Sequence, residues 1–487
     1  MFLDDGETFL NHREMFLDDG ETFLNHGEMF LDDRETFLNH GEMFLDDRET
    51  FLSHGETLLS NREIVFYCRI IRLKDEKLFL QYKCAIYNIL RFLLFKQIKP
   101  PNVNLAPMMH IAVNTCFGQE DEPYGYYSFV KKMFAHIAQL HPECRFIFIS
   151  NKQTGHWIDL PNTGFITIAP AHKNVIPLKY WYDIKLPVAL RKHKPDVLIQ
   201  PFGFCSATSN IPQLLLLKGL CFKHHPSFVS KTELTFQRLF TRLFLNKAKQ
   251  VITFSLFSKA DIKKQYKIED SKILAVYAAT TITPITSEEK MQVKENYTDG
   301  KDFFLFPGGL HPENNILTVL KAFSHFKKWQ QSSMKLVIVS THSTGKNTII
   351  EKLKTYKYRN NVMLLQNIKG NELNKIMATA YAMIYPPLFE ETGLNIMQAM
   401  QCGVPVITGS IGCIPEICDD AVLYGDYHKH ETIAQHLLTI YRDEHLRQKL
   451  IAAGKEQVLQ FNWETSASLI WQNILKVSGK HPMAYKQ

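Results

Sequence analysis

From Met109 onward, short apolar runs alternate with stretches of helical spacing, a pattern that predicts parallel strands joined by crossover helices. In the first half it predicts strands at 111–114, 146–149, 165–168, 197–200, 251–254 and 273–276. Helices fall at 127–140 and 182–192, and the nearly all-leucine run 213–217 reads as a central strand. Phe236, Phe240, Leu243 and Phe244 lie at helical spacing, with Arg238, Arg242, Lys247 and Lys249 around them. That helix faces either a membrane or the core, and a core-facing helix with a solvated basic side is the plainer reading. Ser255 and Ser258 read as caps of the next helix. The alternation restarts at 303–306, with helices at 315–329, 348–355 and 372–379 and strands at 335–339, 362–365 and 382–385. Helices over 430–442, 445–459 and 465–477 end the chain. The expected fold is α/β, with two doubly wound, Rossmann-like halves facing a cleft: residues 109–285 and 286–478, followed by a tail over 479–487.

The first 63 residues differ in kind. They repeat a seven-residue unit, Met-Phe-Leu-Asp-Asp-Gly-Glu followed by Thr-Phe-Leu-Asn-His-Arg-Glu, paired into a fourteen-residue period. The apolar residues are adjacent rather than three and four apart, so a coiled-coil seam is poor. Gly6, Gly20, Gly27, Gly41 and Gly55 weaken a helix further. A weakly ordered segment is expected, with an oligomerising arm as the functional alternative. Residues 64–108 read as a linker or extension, and Met108-Met109 as a candidate translation start.

Charge sharpens this division. Residues 1–63 carry 17 acidic and 4 basic side chains, a balance of −13, whereas the remainder carries 52 Lys and Arg against 32 Asp and Glu, a balance of +20. A basic body suits an anionic substrate or an anionic membrane face, and no nucleic-acid motif accompanies it. Nine scattered cysteines lack paired spacing, which suggests reduced thiols in a cytoplasmic protein. No apolar run reaches the length of a membrane span, and Met1-Phe-Leu-Asp-Asp lacks the form of a secretory signal.

The densest chemistry lies in 385–408, Tyr-Pro-Pro-Leu-Phe-Glu-Glu-Thr-Gly-Leu-Asn-Ile-Met-Gln-Ala-Met-Gln-Cys-Gly-Val-Pro-Val-Ile-Thr. It reads as strand, tight loop, helix, strand, with Gly403 as the left-handed helix stop. In a parallel sheet such a loop sits at the carboxyl end of a strand, where the next helix presents free N–H groups and its positive dipole end. The amides of Thr392, Gly393, Leu394 and Asn395 are therefore candidate phosphate donors. The charge of Glu391 beside them repels phosphate unless it points away.

This stretch resembles the donor-site motif of family 4, or group 1, glycosyltransferases. Phe389, Glu390, Gly393, Leu394, Ala399, Met400, Gly403, Pro405 and Val406 match its pattern, while Gln398 replaces the second glutamate and Glu391 a glycine. The resemblance implies the GT-B fold. It also implies transfer of a hexose from a nucleoside diphosphate sugar to a polysaccharide or lipid-linked acceptor, with retention and no bound divalent ion. Glu390 would hold the donor sugar and Gln398 the ribose. Gly308, Gly309 and Asn314 lie in the loop Phe306-Pro-Gly-Gly-Leu-His-Pro-Glu-Asn-Asn315, which resembles the family's diphosphate loop. There Gly309, Glu313 and Asn314 stand where the family usually has Arg or Lys. Lys218 and Gly219 align with a family His-Asp, and Lys218 is either the missing phosphate charge or a solvated loop lysine. Gly125 aligns with a cleft glycine on the acceptor side. His224-His225 is read against as a metal site, for want of a carboxylate at ligand spacing. The substitutions support a rival reading, a GT-B binding or scaffold subunit with impaired turnover. The expected setting is cytoplasmic, with peripheral contact at the inner face of an anionic membrane.

Overall fold

The computed structural model describes short strands within residues 1–57, then residues 109–116, 125–150, 158–168, 175–280, 282–340, 346–366, 368 and 371–480. It divides the chain into units of residues 1–106 and 107–487. In the first unit the repeats pair as antiparallel strands, with Phe9 opposite Phe16, one seven-residue unit away. Met29–Asp33, Asp47–Ser53 and Glu56–Thr57 form a second small sheet. Side chains of residues 1–108 lie outside the described residues, and with them the expected weak order of 1–63 and the linker over 64–108.

The second unit holds two parallel sheets. The amino-terminal sheet comprises β1 (His110–Asn114), β2 (Arg145–Ser150), β3 (Thr163–Thr167), β4 (Val197–Gln200), β5 (Gln213–Leu216), β6 (Gln250–Thr253) and β7 (Ile273–Ala275), in the order 3-2-1-4-5-6-7. The carboxyl-terminal sheet comprises β8 (Phe303–Phe306), β9 (Lys335–Ser340), β10 (Val362–Gln366), β11 (Ala382–Tyr385), β12 (Val406–Gly409) and β13 (Leu423–Gly425). Its order is β10-β9-β8-β11-β12-β13. Helices cover both faces of such sheets, so central strands read as unbroken apolar runs. Phe303–Phe306 and Ala382–Tyr385 are buried at every position. Phe148 pairs with Val113 on one side and Phe165 on the other. Leu305 pairs likewise with Val337 and Met383.

In each sheet the strand order reverses beside its first strand, and a crevice opens where the connections diverge. In the carboxyl-terminal sheet that point lies between β8 and β11, so the two motif loops, 307–315 and 386–393, flank it.

Two expectations change. The helical region read as 182–192 starts earlier, at Val175–Tyr180, passes through a π turn at Trp181–Lys185 and ends with Leu186–Leu190. The unit expected over 286–478 does not stay on one side of the cleft. Its last helix, Trp463–Ser478, crosses back to pack on Gly125–Leu140 and on β4, β5 and β6. Trp463 stacks on Phe129 at 5.5 Å and Trp471 on His141 at 3.5 Å. Two large aromatics need an apolar wall, and the amino-terminal half supplies it.

Candidate functional site

The loop before the helix Leu394–Gln401 is rigid for identifiable reasons. Gly393 adopts φ 65°, and a Cβ there would lie 2.3 Å from Ile417 Cδ1. Gly412, at φ 60°, lies so close that a Cβ would stand 1.9 Å from the Glu390 carbonyl oxygen. Only glycine meets both demands. The Cys413 amide donates to that same oxygen at 3.1 Å.

The Glu390 carboxylate turns back onto its own loop. Its Oε1 accepts from the amides of Glu391 (3.1 Å), Thr392 (3.0 Å) and Gly393 (3.0 Å) and from the Thr392 hydroxyl (3.1 Å). Its Oε2 accepts from the Tyr385 hydroxyl at 3.0 Å. This corrects the expectation that four amides stand free for phosphate. Those of Thr392 and Gly393 are engaged by an internal anion, because a carboxylate satisfies a helix N-terminus as well as phosphate does. The amides of Leu394 and Asn395, first in the helix, have no acceptor inside it.

The second loop joins this arrangement. Gly309 takes φ 64° and donates its amide to Val339 at 3.1 Å. Asn314 packs on Gly308 and donates its side-chain amide to the Gly308 carbonyl. Asn314 Oδ1 also lies 3.4 Å from the Tyr385 hydroxyl. Tyr385 thus stands between Glu390 and Asn314. Burial, then the charges of Glu390 and Glu313, push its pKa well above the usual phenol value. Asn315 donates to the carbonyls of Pro386 (3.1 Å) and Tyr427 (2.6 Å), tying the two loops together. Neither Tyr385 nor Asn315 stood out as a site residue in the sequence. The available signal for Asn315 was its place just before a helix, where asparagine is favoured.

The amino-terminal half provides the opposite wall. Lys218 follows β5, is solvent-exposed within the cleft, and points its ammonium over the Tyr126 ring at 5.6 Å. Enclosure lowers its pKa, but the carboxylates of Glu391, Glu313 and Glu390 outweigh this and raise it. Lys218 is therefore a charged, exposed residue facing the motif carboxylates. Glu391 points away from the helix N-terminus and across the cleft. Its Oε1 accepts from the Cys221 amide at 2.9 Å, and its carbonyl accepts from the Ser255 hydroxyl at 3.1 Å. A Cβ on Gly219 would lie 2.5 Å from Glu391 Oε1. The space beside Gly219 is thus filled by the Glu391 carboxylate from the other wall.

Gly125, at φ 76°, begins the helix Gly125–Leu140 and shares a small pocket with Lys132, Asn374, Leu394, Gln398 and Trp463. A glycine of the amino-terminal half and a glutamine of the motif helix therefore line one pocket. Glu416 closes another cross-cleft link that the sequence left unmarked. It accepts from the amides of Leu256 (3.0 Å) and Phe257 (3.3 Å), capping a helix of the other half. His224 Nε2 lies 2.7 Å from Asp261, so the carboxylate absent at ligand spacing in sequence is present in space. No group of three or more metal-ligating side chains forms among the described residues.

Residues 287–457 match the family model for glycosyl transferases, group 1. That stretch is similar to the group 1 glycosyl transferases. Over 247 residues the chain is 25% identical to O-antigen chain mannosyltransferase B of Escherichia coli, covering 50% of this chain and 64% of that one. Over 253 residues it is 27% identical to O-antigen chain mannosyltransferase RfbU of Salmonella typhimurium, covering 50% and 65%. The matches span less than two-thirds of these relatives' length. Among solved structures, sucrose-phosphate synthase from Thermosynechococcus elongatus superimposes with TM-score 0.63 at 17% identity, covering 76% of this chain and 99% of that one. Anabaena HepE in complex with UDP-glucose gives 0.61 at 16%, covering 76% and 100%. WaaG, a glycosyltransferase involved in lipopolysaccharide biosynthesis, gives 0.61 at 13%, covering 75% and 99%. The fold is GT-B, as the resemblance implied.

Proposed function

We propose that this protein transfers a hexose from a nucleoside diphosphate sugar to a polysaccharide or glycolipid acceptor, with retention at the anomeric carbon. One observation carries the reading. A helix N-terminus, the Glu390 carboxylate and the Lys218 ammonium converge on the switch point of the stretch similar to group 1 glycosyl transferases. The amides of Leu394 and Asn395 hold the diphosphate, and Lys218 offsets the charge that develops as it leaves. Glu390 Oε2 reaches the sugar hydroxyls and Gln398 the ribose. The acceptor hydroxyl attacks from the face the diphosphate vacates, and the departing phosphate takes its proton. Enclosure between the halves keeps water from the donor. The names of the two O-antigen relatives favour mannose and a surface-polysaccharide acceptor. The reading needs no resident metal ion, and its setting is the cytoplasm at the inner membrane face.

Calorimetric titration of UDP, GDP and ADP into the full chain tests it. Micromolar binding of one nucleotide, lost in Glu390→Ala, supports a working donor site. A folded protein that binds none of the three overturns it.

A second reading, a GT-B binding or scaffold subunit without turnover, is favoured by the engagement of the Thr392 and Gly393 amides by Glu390. The variant Glu313→Arg/Asn314→Lys/Gln398→Glu, which restores the family pattern, separates the two. Sugar transfer that rises from zero in this variant marks a subunit that lost turnover, and transfer already present in the native protein ends this reading.

A further inference from the structure

Two histidine rings that the cleft does not use meet between helices of the carboxyl-terminal half. His325 lies on the helix Ile316–Gln330, and His430 opens the helix His430–Arg442, which packs beside it. Their Nε2 atoms face each other at 3.3 Å, with the rings nearly perpendicular at 88°. That separation exceeds the usual ~2.9–3.0 Å of an N–H donor bond. It matches two nitrogens of one tetrahedral zinc ion, which at bonds of about 2.0–2.1 Å stand about 3.3–3.4 Å apart. Trp329 backs the His325 ring edge-on, with centroids 5.6 Å apart.

The surroundings favour a metal ligand at each nitrogen. The Glu431 carboxylate lies 3.3 Å from His430 Nδ1. It draws the ring proton to that side and leaves the Nε2 lone pair facing His325, and a carboxylate behind a ligating imidazole raises its basicity. Burial lowers the His430 pKa, Glu431 raises it, and His325 and Lys321 lower it further. The net shift is downward, so the ring is neutral at neutral pH, as a ligand must be. Lys321 is exposed, and both rings are half-buried, so water can reach the remaining coordination positions. We infer that His325 and His430 chelate one zinc ion through their Nε2 atoms, with Glu431 orienting His430 and water completing the shell. The ion braces two helices and takes no part in sugar transfer, since His325 lies ten residues beyond Asn315, about 15 Å along the helix. The brace still reaches the motif loops. Asn315 heads the first helix and donates at 2.6 Å to the carbonyl of Tyr427, three residues before His430.

Calorimetric titration of zinc chloride into the full chain, first stripped with a chelator, tests it. Wild type should bind one zinc ion per chain more than His325→Gln or His430→Gln. The double variant should lose no more than either single one, because a chelate needs both rings. Glu431→Gln should keep that ion at about tenfold lower affinity. Zinc should raise the wild-type melting temperature, and the rise should vanish in both single variants. Both histidines are half-buried and glutamine keeps a polar group there, so the zinc-free variants should melt near the wild type. Histidines elsewhere, those of the repeats included, are common to all these proteins and cancel in the comparison. Equal stoichiometry in wild type and double variant overturns the site, since the facing rings then share only a proton. Loss in one single variant but not in the other also overturns it, since one imidazole then holds the ion.

Discussion

At the carboxyl-terminal switch point the motif loop is locked in place. One oxygen of Glu390 accepts four hydrogen bonds, Gly412 presses on its carbonyl, and Asn315 ties it to the neighbouring loop. The facing wall of the amino-terminal half is adjustable. Lys218 stands exposed over a tyrosine ring, and Gly219 leaves room that a carboxylate from the other half fills. Topology supplies a crevice at either sheet, and the carboxyl-terminal one carries a loop packed tightly enough to hold a helix N-terminus at fixed geometry. Changes in the rigid wall should therefore act on stability, and changes in the adjustable wall on affinity.

The largest effect tests the rigid wall. Gly412→Val drives a side chain into the Glu390 backbone, which has no freedom to yield. It should cost about 1–3 kcal/mol from overpacking alone, with strain from the positive φ added. Scanning calorimetry should record a lower melting temperature, and an unchanged one would mean that the loop is not packed as described. In contrast, Lys218→Ala should leave the melting temperature within about 1 °C while weakening donor binding about ten- to a hundredfold, the worth of a lost charge-assisted contact at roughly 1.5–3 kcal/mol. Titration of the nucleotide that binds the native protein reads this directly.

The pair Gly219 and Glu391 sharpens the comparison further. Gly219→Asp should crowd Glu391 and set two carboxylates in one space, and Glu391→Gly should leave the Cys221 amide without its acceptor. Combined, they return one carboxylate to the cleft. A coupling of about 0.5–3 kcal/mol is expected from a double-mutant cycle on stability, and strict additivity would show that the two positions do not share a site. The smallest effect concerns Glu416. Its carboxyl pKa is raised by burial, only partly offset by its bonds to Phe257, Leu256, Tyr277 and Ser255. A raised carboxyl contributes stability below its unfolded-state pKa and loses it as pH rises through the folded value. Glu416→Gln should therefore gain on the wild type as pH increases from below the carboxylate range toward neutrality. Denaturant melts across that range provide the check.

Much of the fold was legible. The runs at 303–306 and 382–385 announced buried parallel strands because helices cover both faces of the sheet. The strand, tight turn and helix start that carry Glu390 and Gly393 to the crevice were legible too. Glu416, Tyr385 and Asn315 were not legible. Their roles arise from contacts between loops 71 to 160 positions apart in the chain, and no local pattern encodes such a distance.

Local propensity and period determined where strands and helices lie, and hence two doubly wound halves and a helix N-terminus aimed at a crevice. These are short-range preferences of backbone and side chain, and they act before the chain is compact. The tertiary structure decided which groups share that crevice. It filled two of the amides with Glu390, brought Lys218 to face three carboxylates, set the Glu391 carboxylate against Gly219, and carried the last helix back to the first half. Each of these depends on distances between segments remote in the chain, and those distances exist only after both sheets have packed.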